Sequence, residues 1–217
     1  YLEVPTPPRS VLALVFHHSV ADGRSGGELL RRLLDGIATH RALRAGATPP
    51  PLPPMHRVFP PQFRWSEQPA AAKRVKDGLM TDYKRHGALT PLRWLSTNAP
   101  TRAPRLIRLA FPADVTRRLL ALSRQHGTSV HGAICAAQLL AQHRLQMADD
   151  PATLLLSCPV DMRPLLDPVQ PSQPTALCIS LVSAAFVVDS HTDLWTLARD
   201  VITQTRLQLA RGEGHIF

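Results

Sequence analysis

The sequence predicts an α/β fold whose strands and helices are layered without the strict alternation of a doubly wound sheet. Three observations predict it. The run VLALVFHH at 11–18 is continuously apolar up to its histidine pair, the pattern of a strand covered on both faces. Leu29, Leu30, Leu33, Leu34 and Ile37 recur at spacings of three and four, which is one face of a helix. An apolar content of 44% in 217 residues suffices for a core and excludes disorder along the whole chain.

The elements follow in chain order. Tyr1–Val4 and Ser10–His17 read as strands joined by a Pro-rich turn, and a helix is expected from 25 to 44. Residues 48–61 hold seven prolines, a density that no helix or central strand survives, so an extended surface connector is expected there. A helix from Pro69 to Arg85 follows, then an irregular stretch to Pro104. Arg105–Phe111 reads as a strand, and Pro112 as the first residue of a helix whose inner face is Val115, Leu119, Leu120 and Leu122. Gly127 is placed to close that helix, and Thr128 or Ser129 to cap the next one. In that next helix Ala133, Ala136, Ala137 and Ala141 would permit close packing. Strands near 153–160 and 176–188 precede a helix from 193 to 210, with Leu194, Leu197, Val201 and Ile202 inward.

Charge and cysteine usage narrow the function. The chain carries 25 basic against 16 acidic residues, a net charge of +9, and only Lys73, Lys76 and Lys84 are lysines. The charges are dispersed and not interleaved with aromatics, so a nucleic-acid surface is not expected. A phosphate-bearing acyl carrier fits the same charge. Cys135, Cys158 and Cys178 are odd in number and form no CxxC pair; this argues against a disulfide framework or structural zinc and for buried free thiols. No apolar stretch approaches the ~20 residues of a membrane span. Because the chain opens on Tyr1 without a signal-like segment, a cytoplasmic protein whose own N-terminus lies upstream is expected.

The chemistry is concentrated in His17-His18-Ser19-Val20-Ala21-Asp22-Gly23, between an apolar strand and a helix. Successive strand residues face opposite ways, so one histidine should look into a cleft while the other packs inward and fixes the loop. A neutral imidazole in a cleft is a general base for an acceptor hydroxyl or amine. Asp22 can tie down the turn, and Gly23 can supply a positive φ. Ser19 is no nucleophile elbow, which favours direct transfer over a covalent acyl-enzyme. Two bland readings stand beside this one: histidines that merely end a strand, and a metal site, which diverging neighbours on a strand disfavour.

HHSVADG resembles the HHxxxDG signature of the chloramphenicol-acetyltransferase-like superfamily. That group includes condensation domains of nonribosomal peptide synthetases, plant BAHD acyltransferases and polyketide-associated acyltransferases. TSVHGAICAAQLLA and CPVDMRPLL are similar to segments of the polyketide-associated branch, closest to phthiocerol/phthiodiolone dimycocerosyl transferase-type proteins. The resemblance implies a two-lobed sandwich, here incomplete: 1–100 as the C-terminal part of the first lobe and 101–217 as the N-terminal part of the second. Such a central fragment is expected to be inactive alone.

The same resemblance implies an O-acyltransferase with His18 as general base. His17, Asp22, Gly23 and Arg163 become structural at the active site, Asp22 pairing with Arg163. The donor would be acyl-CoA or the phosphopantetheine thioester of an acyl carrier protein, the acceptor an alcohol, and the partner an acyl carrier protein or polyketide synthase. No permanently bound cofactor and no metal are expected. An amide-forming condensation domain and a non-catalytic carrier-binding member are the alternatives.

Overall fold

The computed structural model describes residues 2–4, 9–39, 53–65, 67–91, 107–146, 151–167 and 176–216. The chain divides into two compact units. One comprises residues 1–69, 159–181 and 214–217, and the other residues 70–158 and 182–213.

In the first unit, strands β1 (Leu2–Val4) and β2 (Arg9–Val11) pair antiparallel, with Leu2 opposite Val11 and Val4 opposite Arg9. The expected strand to His17 stops at Val11, because residues 12–17 have no ladder partner among the described residues. Nor is that run covered on both faces: Val15 is 92% exposed, and Leu12, Leu14 and Phe16 are also exposed. Helix α1 spans Gly23–Ala38; the last part of the expected helix, from residue 40, lies outside the described residues.

The first residues of the proline-dense segment lie outside the described ones; from Pro53 onward Pro53, Pro54, His56, Arg57 and Pro61 are exposed, around a short buried stretch. Pro54 and Pro60 hold extended backbone, each starting a short 3-10 turn, at Met55–Arg57 and Pro61–Phe63. Between these turns Val58 and Phe59 are buried against Met162 and Leu166. The Asp167 amide donates to the Val58 carbonyl at 2.7 Å, so two segments far apart in sequence are joined through both backbone and side chains.

Strands β3 (Ala152–Asp161) and β4 (Ile179–Val188) form the second ladder. The Ser157 and Ser183 hydroxyls meet at 2.7 Å, and the Met162 amide donates to the Cys178 carbonyl. The paired numbers rise on one strand as they fall on the other, so the strands are antiparallel. Ala152, Leu154, Leu156 and Cys158 are buried at every second position of β3, the period of a strand with one covered face.

The second unit, which holds residues 152–158 and 182–188 of those strands, is otherwise mainly helical. Helix α2 covers Pro69–Arg85, as the sequence predicts. The described part of the expected strand before α3 (Ala113–Gln125) is not one: Ile107, Leu109 and Phe111 are highly exposed and unpaired with any described strand. Pro112 is the N-cap of α3, one place earlier than expected. The helix ends as predicted, with Gly127 at φ +67. The Thr128 amide reaches the Ser123 carbonyl and the Gly127 amide that of Arg124, the two bonds of a Schellman stop.

Ser129 then caps α4 (Val130–Gln146), its hydroxyl accepting from the Gly132 amide at 3.1 Å. Of the small residues expected to pack closely, Ala133 and Ala136 are buried, whereas Ala137 and Ala141 face outward. Helix α5 (Leu194–Ala210), capped by Asp193, packs on α4 with Leu197, Ala198 and Val201 inward. Gly132 makes the approach possible: a Cβ there would lie 2.7 Å from the Ala198 carbonyl oxygen. Among the described residues, no helix is long and apolar enough to cross a membrane.

Candidate active site

The histidine pair sits on a turn, not on the last residues of a strand. The Val20 amide donates to the His17 carbonyl at 3.0 Å, leaving His18 and Ser19 at the centre of a four-residue turn. Both imidazoles are exposed. His17 does not pack inward as the strand reading required. It stabilises the turn locally instead, its Nδ1 lying 3.2 Å from the Ser19 amide that donates to it and 2.7 Å from the Ser19 hydroxyl. The His18 ring stands open to solvent at the crest of the turn.

Asp22 anchors the other end. Its backbone is extended, φ −95 and ψ 174, and its carboxylate caps α1 by accepting from the Ser25 amide at 2.9 Å. A carboxylate in this position also complements the positive end of the helix dipole. Because Asp22 makes the bend with ordinary L-residue geometry, Gly23 does not supply a positive φ. Gly23 is the first helical residue, with nothing within 4 Å of where a Cβ would stand. That part of the expectation is corrected.

The buried side of Asp22 meets Arg163. Arg163 lies just beyond β3, in a 3-10 turn at Arg163–Leu165, and its side chain is only 2% exposed. Its Nη2 is 2.9 Å from Asp22 Oδ2 and donates to Ser25 Oγ at 2.7 Å. Its Nη1 donates to Asp161 Oδ1 at 3.0 Å, and Arg24 pairs with the other Asp161 oxygen from outside. The guanidinium Nε is buried without a hydrogen-bond partner among the described residues.

Two features missed in the sequence complete the lock. Ser25 Oγ donates to the Ala176 carbonyl at 2.8 Å while accepting from Arg163. The Cys178 amide donates to Asp22 Oδ2 at 3.0 Å. A signal for Ser25 was present, since it stands three residues after a helix-capping aspartate; none marked the Cys178 amide. Burial pushes the Asp22 carboxyl upward, but the Ser25 and Cys178 amides and the Arg163 guanidinium outweigh it and hold the group below its ordinary value. Asp161 is likewise depressed: burial raises it, and the Arg163 and Arg24 bonds prevail. Asp22 is thus held as the anion, with its acceptor sites filled by the Ser25 and Cys178 amides and the Arg163 guanidinium.

The arrangement therefore holds two exposed imidazoles on a short turn, His17 bonded to Ser19 and His18 at the crest, with a buried ion pair just beyond the turn. A family model described as phthiocerol/phthiodiolone dimycocerosyl transferase C-terminus matches residues 100–215. The phthiocerol/phthiodiolone dimycocerosyl transferase of Mycobacterium tuberculosis is 29% identical over 207 residues, covering 93% of this chain and 48% of the relative. The chain spans about half the length of the curated relatives it matches. Among solved structures, polyketide synthase associated protein 5 from Mycobacterium tuberculosis matches with a TM-score of 0.66 at 24% identity, over 92% of this chain and 49% of that one. The first condensation domain of the calcium-dependent antibiotic synthetase matches with a TM-score of 0.62 at 18% identity, over 90% and 42%. The fold is that of the chloramphenicol-acetyltransferase-like group, of which this chain spans about half.

Proposed function

Because the chain belongs to the phthiocerol/phthiodiolone dimycocerosyl transferase family, we propose that it carries the catalytic turn of an acyltransferase moving an acyl group from a thioester to an acceptor hydroxyl. The observation that carries this reading is the clamp: Asp22, Ser25 and Arg163 fix one end of the His17–Val20 turn while leaving the His18 ring exposed. A base that must meet two substrates needs such a position, accessible at the ring and fixed at the backbone.

In this reading His18 takes the proton of the acceptor hydroxyl as its oxygen attacks the thioester carbonyl. The tetrahedral intermediate expels the thiolate, which recovers the proton from the imidazolium. No acyl-enzyme forms. His17, Asp22 and Arg163 position the turn, and Gly23 leaves space at its exit. Residues 1–100 and 101–217 would be the adjoining parts of two lobes, and a cytoplasmic acyl-CoA or carrier-protein phosphopantetheine thioester would be the donor.

The test is acyl transfer by the intact protein containing this chain, with His18→Ala compared against wild type. Loss of thiol release with an unchanged circular-dichroism spectrum is the expected result, and retained turnover removes His18 from the role. The likeness to a condensation domain makes amide formation the second reading. An amine acceptor turned over in preference to an alcohol would establish it, and thioester binding without thiol release would indicate a non-catalytic carrier-binding member.

A further inference from the structure

The second unit contains a group of side chains that the acyl-transfer reading does not use. His131 and Cys135 are four residues apart on α4, hence on one face of the helix. Cys158 lies on β3 and points to the same place. Their ligand atoms all lie within 4.8 Å of one another, and Cys135 Sγ is 3.6 Å from His131 Nε2. Two sulfurs and a nitrogen tetrahedrally arranged on zinc, with Zn–S about 2.3 Å and Zn–N about 2.0–2.1 Å, have S–N edges of about 3.6 Å. Cys135 Sγ also lies 3.9 Å from His131 Nδ1, so the distance matches a ligand pair while the exposed imidazole has to turn to direct one nitrogen at the ion.

We propose that His131, Cys135 and Cys158 bind one zinc(II) ion, with a water from the solvent side as the fourth ligand. Charge and exposure favour it. The two cysteines are buried, at 6% and 4% exposure, while His131 is exposed, so the site is closed around the sulfurs and open at the imidazole. Binding displaces one proton from each thiol, and two thiolates with a neutral imidazole cancel the dication, leaving no net charge to bury. The set is also softer than calcium or magnesium would select. The sequence does not reveal the site, because ligands at 131, 135 and 158, on a helix and a strand, match no finger spacing.

The intact protein, reduced, untagged and stripped of metal, is titrated with cobalt(II) as a spectroscopic probe. One equivalent should produce a sulfur-to-cobalt charge-transfer band and the visible bands of a tetrahedral site, both abolished by zinc. Cys135→Ser and Cys158→Ser should each remove the charge-transfer intensity or reduce it by about half. His131→Asn, a change at an exposed position, should fold normally and weaken binding at least tenfold. Absence of these bands in folded wild-type protein overturns the site, as does their persistence at full intensity in both cysteine variants. Isolation of a Cys135–Cys158 disulfide under air, with no cobalt bound after reduction, also overturns it.

Discussion

Arg163 and Asp22, 141 residues apart in sequence, meet at 2.9 Å with side chains 2% and 1% exposed. A salt bridge so withdrawn from water contributes little net attraction when intact, because desolvation offsets the Coulomb gain. Removing one partner leaves the other buried and uncompensated. The pair therefore specifies where the histidine turn sits more than it stabilises the chain.

Asp22→Ala should accordingly destabilise the protein by about 3–5 kcal/mol, losing in one step the partner of Arg163 and the cap of α1. Chemical denaturation gives the value from the shift in midpoint. A loss below about 1 kcal/mol would mean that Asp161 alone satisfies the guanidinium.

Acid should act through the same carboxylates. The folded values of Asp22 and Asp161 are depressed, so their contribution is fully present above the ordinary carboxylate pKa of about 3.9. It disappears as pH falls through the depressed folded values. Unfolding free energy should hold steady from neutrality to about pH 5 and fall below about pH 4. Asp22→Ala should flatten part of that fall. An equally steep decline in the variant would assign acid sensitivity to other groups.

The glycines divide sharply. At Gly132 an added Cβ would stand 2.6 Å from Thr128 Oγ1 and 2.7 Å from the Ala198 carbonyl oxygen. Gly132→Ala should therefore destabilise by about 1–3 kcal/mol through overpacking of α4 on α5. Gly127→Ala, at φ +67, should cost about 1–2 kcal/mol in backbone strain. Thermal unfolding of the two variants measures both effects.

Gly23→Ala is the contrast. The position is helical, with open space around it, so stability should be unchanged or raised by up to about 1 kcal/mol. If acyl transfer by the intact protein falls while the melting temperature holds, the glycine keeps room for substrate. Unchanged turnover would leave it no part in the site.

Much of the helical structure was legible because local chemistry dictates it. Helix α2 has its predicted bounds, the Schellman stop follows from Gly127, and Ser129 is a good cap because its hydroxyl reaches the Gly132 amide. The strands at 12–17 and 107–111 were over-read. An apolar run shows that a segment tends to extend, but a strand also requires a partner whose place the sequence does not give. The Asp22–Arg163 contact came from motif resemblance, since nothing in the spacing of the two residues brings them together. The Cys178 amide and the His131–Cys135–Cys158 group were illegible for a related reason. Each is a juxtaposition made by tertiary structure from residues ordinary in their local context.

Arg24, Asp161, Arg163 and Asp22 form a line of alternating sign that runs from the surface inward. Such a line resists editing one letter at a time: a single replacement near its inner end strands a charge where water cannot reach it, whereas replacing both partners together leaves none stranded. The aspartate of HHSVADG and the arginine of CPVDMRPLL are in that sense one heritable trait written in two places, and a graft that transplants either motif without its counterpart should not fold cleanly.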